Sequence, residues 1–133
     1  MKKRISGKID TAAQAAAVFR AALPDMQREE SVFVLPLAGN GEMLSEPILV
    51  SVGVEVGTAA VDAGRIFREA LKAGSEEIIV AHNHPSGDMT PSEADFAVTR
   101  ELKDLASRLS VTFVDHLIVG PTESFVSLAE MMD

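Results

Sequence analysis

The chain has 133 residues, of which 47% are hydrophobic, which is enough for one folded domain that buries about two thirds of its unfolded surface. Twenty acidic residues against 12 basic ones give a net charge of −8, and Tyr and Trp are absent. Direct nucleic-acid binding depends on basic and stacking side chains, so we expect very weak direct binding here and leave recruitment through a partner open. The absence of cysteine excludes disulfides, thiolate nucleophiles and cysteine-ligated zinc.

The amino-terminal part predicts a basic arm over residues 1–9, which can form an edge strand, followed by a helix. The helix begins at Asp10 or Thr11 and runs to about Leu23, because Thr11 and Gln14 stand at the spacing of a capping box. No apolar run of signal-peptide length follows the basic start, and no stretch of about 20 apolar residues could span a bilayer. We therefore expect a cytoplasmic protein with no membrane partner.

The centre of the chain predicts an antiparallel meander and then a second helix. The predicted strands cover residues 31–37, 42–50 and 51–56. Pro36 cannot donate a hydrogen bond to a neighbouring strand, which favours an edge position or a bulge. The helix opens at Gly57 and runs to about Ala73, with Gly74 as its C-cap.

Residues 78–82 form a short β-branched run that predicts a buried strand. His82 and His84 lie two residues apart at its end, so their imidazoles point to the same side. Pro85 keeps His84 extended, and the following residues have turn composition. Asp88 lies in this turn, where a local turn-forming role is favoured over metal ligation.

A third helix is predicted over residues 91–109, with Thr90 as N-cap and Glu93 completing a capping box. Asp95 then lies in the opening turns, near the end of the preceding strand. The residues predicted to face the sheet are Ala94, Val98, Leu102, Leu105 and Leu109.

Two imidazoles and a carboxylate, from His82, His84 and Asp95, form a three-ligand set that leaves a position for water, as in catalytic zinc sites. A lone His-X-His is usually no metal site, and an aspartate near a helix start is usually there for the helix dipole. The coincidence of all three at one strand-to-helix junction favours Zn²⁺.

The last part of the chain predicts strands over residues 111–115 and 116–119, then a closing strand or short helix over residues 124–128. His116 is interpreted as a partly buried histidine with satisfied nitrogens, with support of a metal ligand as the alternative. The element order predicts one domain over residues 1–133, of α/β class, with a mixed sheet flanked by helices on both faces.

The motif His82-X-His84-Pro85-X-Gly87, followed by Ser92 and Asp95, resembles that of the JAMM (MPN-type) zinc metalloproteases. The fuller string from His82 to Asp88, and the segment Asp115 to Gly120, resemble the RadC branch of that family. The resemblance covers roughly Asp10 to Met131. It implies the three-layer, cytidine-deaminase-like JAMM fold, without the helix-hairpin-helix segment often found before the RadC catalytic domain.

The resemblance also implies two catalytic residues. A glutamate just before the first long strand acts as the base, and the alignment of that strand places Glu30 there. Glu29 is the alternative, since a slip of one residue exchanges their faces. Ser92 matches the motif serine, whose hydroxyl helps stabilise the oxyanion.

The implied function is a zinc-dependent metallopeptidase or isopeptidase that hydrolyses an amide bond in a peptide or protein. One alternative is a RadC-like accessory of DNA repair or replication, a binding module whose metal site is idle or structural. Another is a metal-dependent amidohydrolase that acts on a small molecule. The sequence leaves the substrate and the oligomeric state open.

Overall fold

A computed structural model of the chain describes residues 7–23, 29–53 and 63–132. Within these ranges five strands form one sheet: β1 (Ser31–Leu37), β2 (Ile48–Val52), β3 (Glu77–His82), β4 (Thr112–Val119) and β5 (Phe125–Ser127). The helices are α1 (Ala12–Ala22), α2 (Ala63–Lys72), α3 (Glu93–Leu109) and a C-terminal 3-10 helix (Ala129–Met131). Among these helices, none is long and apolar enough to cross a membrane.

The sheet is mixed, with strand order β2-β1-β3-β4-β5. Only β3 and β4 are parallel to each other, and the remaining neighbours pair antiparallel. α3 is the crossover that connects the parallel pair. The carboxyl end of β3 therefore lies where the chain turns toward the start of α3, and His82 is the last residue of β3.

Two hydrophobic clusters lie on opposite faces of the sheet, because strand side chains alternate. α1 packs on one face, through buried residues that include Ala15, Ala16 and Phe19. α2 and α3 pack on the other, through buried residues that include Ile66, Phe67, Leu102 and Ala106. The predicted α/β architecture with helices on both faces is confirmed.

The helix starts differ in how well the sequence predicted them. α1 begins as expected, with Thr11 as N-cap in a capping box with Gln14. α3 does not begin at Thr90, because Ser92 is its N-cap and Asp95 completes the capping box. The amide of Thr90 instead donates to Asp88 Oδ1 at 2.9 Å, so Thr90 belongs to the preceding turn. The expected turn-forming role of Asp88 is confirmed.

The predicted buried face of α3 is right for Val98 and Leu102, while Leu105 is partly buried. Leu109 is 42% exposed, contrary to the prediction. It is the last residue of α3, and the chain leaves the helix through Ser110 in the left-handed conformation, with φ of 59°. The apolar pattern thus continues one turn beyond the packed face.

The meander is shorter than predicted. Residues 42 and 43 form only isolated bridges, and a single strand, β2, spans the predicted boundary between residues 50 and 51. Residues 54–56 of the predicted third strand lie outside the described residues, as do residues 1–6 of the arm and residues 57–62 at the predicted start of α2. Gly74 has φ of 83° after α2, as expected for the residue that ends a helix.

Pro36 lies in β1, which has a neighbour on each side, so the predicted edge position is wrong. Its carbonyl accepts from the amide of Leu44 at 3.0 Å, and in an antiparallel strand the nitrogen of a residue points the same way as its carbonyl. β2 pairs only with residues 31–34 of β1, so Pro36 lies beyond its end. No hydrogen bond to β2 is lost.

The carboxylate of Asp115 anchors the end of the chain. Asp115 is 7% exposed, and its Oδ1 accepts from the amides of His116 at 2.7 Å and Ala129 at 3.1 Å. Its Oδ2 accepts from the hydroxyl of Ser127 at 2.6 Å. One side chain therefore joins β4 to β5 and to the 3-10 helix.

Replacing this carboxylate should destabilise the protein strongly. We expect Asp115→Ala to lower the free energy of unfolding by about 2–4 kcal/mol, because buried donors lose a charged acceptor. Urea denaturation measures the change, with Asp104→Ala as control. Asp104 forms an exposed ion pair with Arg108, and its loss should cost less than about 1 kcal/mol. Equal effects in the two variants would contradict the anchoring role.

Candidate metal centre

Three potential ligand atoms converge where β3 meets the start of α3. His82 Nε2 and His84 Nε2 lie 3.1 Å apart. The carboxylate of Asp95 spans both, with Oδ1 at 3.2 Å from His82 Nε2 and Oδ2 at 3.3 Å from His84 Nε2. Ligand atoms bound tetrahedrally to zinc at ordinary distances stand about 3.3 Å from one another. The three predicted ligands are therefore brought together, and their spacing could hold a metal ion.

The strand and the following turn orient the two histidines. His82 is buried at the end of β3. His84 Nδ1 lies 2.7 Å from the carbonyl oxygen of Asp88. Because a carbonyl only accepts, Nδ1 of His84 carries the proton, and Nε2 of the neutral ring keeps a lone pair for a cation.

Asp95 carries its charge in a nearly dry position, only 2% exposed. Burial opposes ionisation, but hydrogen bonds from His82 and His84 hold the pKa of Asp95 well below its ordinary value. Its Oδ2 also accepts from the amide of Ser92 at 2.8 Å. The hydrogen bond that His84 donates to the carboxylate of Asp95 raises the pKa of His84 to about 9. A bound metal cation would take the place of that proton.

Of the two glutamates before β1, Glu30 acts on the histidines. The carboxylate of Glu30 contributes to the raised pKa of His84. The carboxylate of Glu29 lies instead over Gly53, where an added Cβ would stand 2.8 Å from Glu29 Oε2. The charge of Glu30 thus acts on a potential metal ligand, while Glu29 lies against Gly53, and the choice of Glu30 as the base stays a prediction.

Asn83 fixes the segment that carries these glutamates, a role that the sequence did not reveal. Asn83 lies between the two histidines in sequence, and its side chain is buried. Its Oδ1 accepts from the amide of Ser31 at 2.7 Å. Its Nδ2 donates to the carbonyl of Glu29 at 3.1 Å. Asn83 therefore clamps the backbone on either side of Glu30.

Ser92 lies directly beside the potential ligand Asp95. Its hydroxyl oxygen accepts from the amide of Asp95 at 3.0 Å, as the N-cap of α3. That bond leaves the hydroxyl proton available for donation. The predicted contact of Ser92 with an oxyanion stays a prediction, and the cap gives the residue a structural role as well.

His116 and Thr99 complete the buried surroundings of His82. His116 is fully buried, with Nε2 at 2.9 Å from His82 Nδ1 and Nδ1 at 2.7 Å from Thr99 Oγ1. Burial and the neighbouring His82 lower the pKa of His116 well below its ordinary value, so the ring is neutral. Both nitrogens of His116 are satisfied as predicted, but the ring is fully rather than partly buried, and it contacts the potential ligand His82. Thr99 was missed, although it lies four residues after Asp95 on the same helix face.

Comparison with known proteins places these residues in a family. The sequence model described as "RadC-like JAB domain" matches residues 9–132. The chain is 39% identical over 106 residues to a UPF0758 protein of Carboxydothermus hydrogenoformans, covering 80% of this chain and 46% of that protein. It is 35% identical over 123 residues to a UPF0758 protein of Pelodictyon phaeoclathratiforme, covering 92% of this chain and 54% of that protein.

The chain thus spans about half the length of the curated relatives it matches. The matched region contains the strand-to-helix junction with all three potential metal ligands. On this match and this fold, the chain belongs to the RadC-like JAB domain family.

Proposed function

We propose that this domain is a zinc-dependent hydrolase of amide bonds, a metallopeptidase or isopeptidase acting on peptides or proteins. The observation that carries the proposal is the convergence of His82 Nε2, His84 Nε2 and one carboxylate oxygen of Asp95 within 4.8 Å of one another. Two imidazoles and one carboxylate, with no cysteine in the chain, form a typical catalytic zinc set. Glu30, whose charge contributes to the raised pKa of His84, is proposed as a carboxylate that acts without being a ligand.

Zinc, when bound, supplies a Lewis acid that polarises the substrate carbonyl and makes water a better nucleophile. The carboxylate of Glu30 accepts the proton of the attacking water and delivers it to the leaving amine. The hydroxyl of Ser92 can donate a hydrogen bond to the oxyanion that forms on the former carbonyl oxygen. Asn83 holds the backbone around Glu30, and the cap at Ser92 fixes its hydroxyl beside Asp95.

The proposed partner is a peptide or protein substrate rather than a nucleic acid. A net charge of −8 repels a phosphate backbone, so any role at DNA would need a second protein for recruitment. The alternative is a binding module that does not hydrolyse its partner. The activity measurements below distinguish this module from a hydrolase.

Loss of a ligand should remove the metal. We expect about one zinc per chain in the wild type and little in His82→Ala, His84→Ala or Asp95→Asn, because two remaining ligands hold zinc poorly. Elemental analysis of the purified proteins measures the metal. Asp88→Asn is the matched control, since Asp88 is an exposed carboxylate near His84 that caps a turn. Full zinc retention in both histidine variants would contradict the assignment.

Glu30 should be needed for hydrolysis and not for metal binding. We expect Glu30→Gln to keep its zinc and to lose about 10²- to 10⁴-fold in the rate of peptide hydrolysis, because the amide cannot take the proton. A peptide library read by mass spectrometry measures cleavage, and Glu29→Gln is the matched control.

Two results would count against this assignment. An inactive Glu29→Gln with an active Glu30→Gln would show that the neighbouring glutamate is the base. A zinc-loaded wild type that cleaves no peptide would favour the binding module.

Removing the clamp on the glutamate segment should separate activity from metal content. We expect Asn83→Ala to keep its zinc and to lose about 1–3 kcal/mol of stability, since a buried amide of Ser31 loses its acceptor. Cleavage should fall in the turnover number rather than in the Michaelis constant, because Glu30 loses its orientation. Asn40→Ala, in an exposed turn, is the control. Unchanged turnover in Asn83→Ala would exclude the positioning role.

A further inference from the structure

A chain of buried hydrogen bonds runs from His82 to the backbone of the helix that carries Asp95. His82 Nδ1 contacts His116 Nε2 at 2.9 Å, and His116 Nδ1 contacts Thr99 Oγ1 at 2.7 Å. Thr99 Oγ1 in turn donates to the carbonyl oxygen of Asp95 at 2.8 Å. All four residues are at most 2% exposed. The chain therefore connects one potential metal ligand to another without reaching solvent.

The carbonyl of Asp95 fixes the direction of every bond in this chain. A carbonyl oxygen only accepts, so the single hydroxyl proton of Thr99 goes to Asp95. Thr99 then offers only lone pairs to His116, whose Nδ1 must carry the proton. A neutral imidazole with its proton on Nδ1 accepts at Nε2, and the complete burial of His116 keeps it neutral. His82 Nδ1 must therefore donate, so in the neutral ring, as a bound cation requires, the lone pair lies on His82 Nε2.

We propose that His116 and Thr99 are positioning residues that lock His82 in the tautomer and ring orientation of a metal ligand. This inference rests on the zinc site proposed above and adds two residues to it. His84 reaches the same state through the carbonyl of Asp88. The two histidine ligands thus present the same nitrogen, one held by a backbone carbonyl and the other by buried side chains.

The fold explains why these residues meet. In the parallel pairing of β3 and β4, His82 stands beside Ile118 and Val80 beside His116. His116 therefore projects from the same face of the sheet as His82, one pleat earlier. Thr99 lies one helical turn after Asp95 on α3, which packs over this face. The parallel strands and their crossover helix therefore bring together His82 and Asp95, the two ends of this series of hydrogen bonds.

Zinc affinity tests the role of the two residues. We expect His116→Leu and Thr99→Val to weaken zinc binding by about 10- to 100-fold, because the ligand loses its support. His116→Gln can accept at one end and donate at the other, so it should lose less than His116→Leu. Competition with a chromophoric zinc chelator gives the dissociation constants.

The matched control is Ile79→Val, which removes one methyl group from the opposite face of the same sheet. It should lose stability while its zinc affinity stays near that of the wild type. Thr99→Val is nearly isosteric and keeps the test informative even where His116→Leu fails to fold. Equal zinc affinity in Thr99→Val and Ile79→Val would overturn the inference.

The proton positions provide a second readout that does not depend on hydrolysis. Nitrogen-15 NMR of the zinc-loaded protein should show slowly exchanging protons on Nδ1 of both His82 and His116. A proton on His116 Nε2 would mean that His116 donates to His82 instead of accepting from it, which would overturn the inference. Weakened zinc binding in the two variants of a protein that cleaves no peptide would support the inference and contradict the proposed catalysis. Unchanged affinity in an active enzyme would contradict the inference alone.

Discussion

The buried carboxylate of Asp95 is the constraint around which the end of β3, the start of α3 and the middle of β4 are arranged. A charge that is 2% exposed is costly unless its surroundings compensate it. The amide of Ser92 and two imidazoles face its oxygens, and its own amide and carbonyl bond to Ser92 and Thr99. The raised pKa of His84 shows that this arrangement attracts positive charge. A divalent cation bound by these three residues would satisfy the same demand with both imidazoles neutral.

The sheet supplies the long-range part of this arrangement. His82 and Asp95 are 13 residues apart in sequence, and His116 follows His82 by 34 residues. Because β1 runs antiparallel to β3 and Val32 pairs with His82, the start of β1 lies beside the end of β3. Glu30 lies two residues before Val32, so the backbone places it next to the end of β3 from the side of β1. The potential ligands thus come from the end of β3, the turn after it and the start of α3, and β1 begins beside the end of β3.

Local chemistry made the cluster of potential metal ligands predictable. Alternation along a strand placed His82 and His84 on one side, and helix-start signals placed Asp95 near them. The cap itself was misplaced by two residues, since Thr90-Pro91 and Ser92 both carry acceptable start signals. The choice of Ser92 depends on Asp95, whose carboxylate serves the cap and the site together. Sequence spacing shows the candidates, and only the packed site decides between them.

Contacts across the sheet were out of reach of the sequence. Asn83 bonds to residues 52 and 54 positions away, and the path from His82 through His116 to Thr99 crosses two strands and a helix. No periodicity encodes such pairs, because each depends on strand register. Pro36 illustrates the same limit. Its tolerance inside the sheet depends on where β2 ends, which is a property of the neighbour rather than of Pro36.

The register of β4 against β3 depends on one exposed residue, Val114. Phe113 pairs with Ile78, but Ile79 pairs with Asp115, so Val114 is an extra residue that bulges out and is 42% exposed. The bulge reverses the alternation beyond it. Asp115 therefore faces the α1 side and anchors the end of the chain, while its neighbour turns toward His82. Without the bulge, Asp115 and His116 would exchange faces. The carboxylate of Asp115 would then lie between His82 and Thr99, where the buried hydrogen bonds need the imidazole of His116. The exposed valine is therefore part of the architecture of the site.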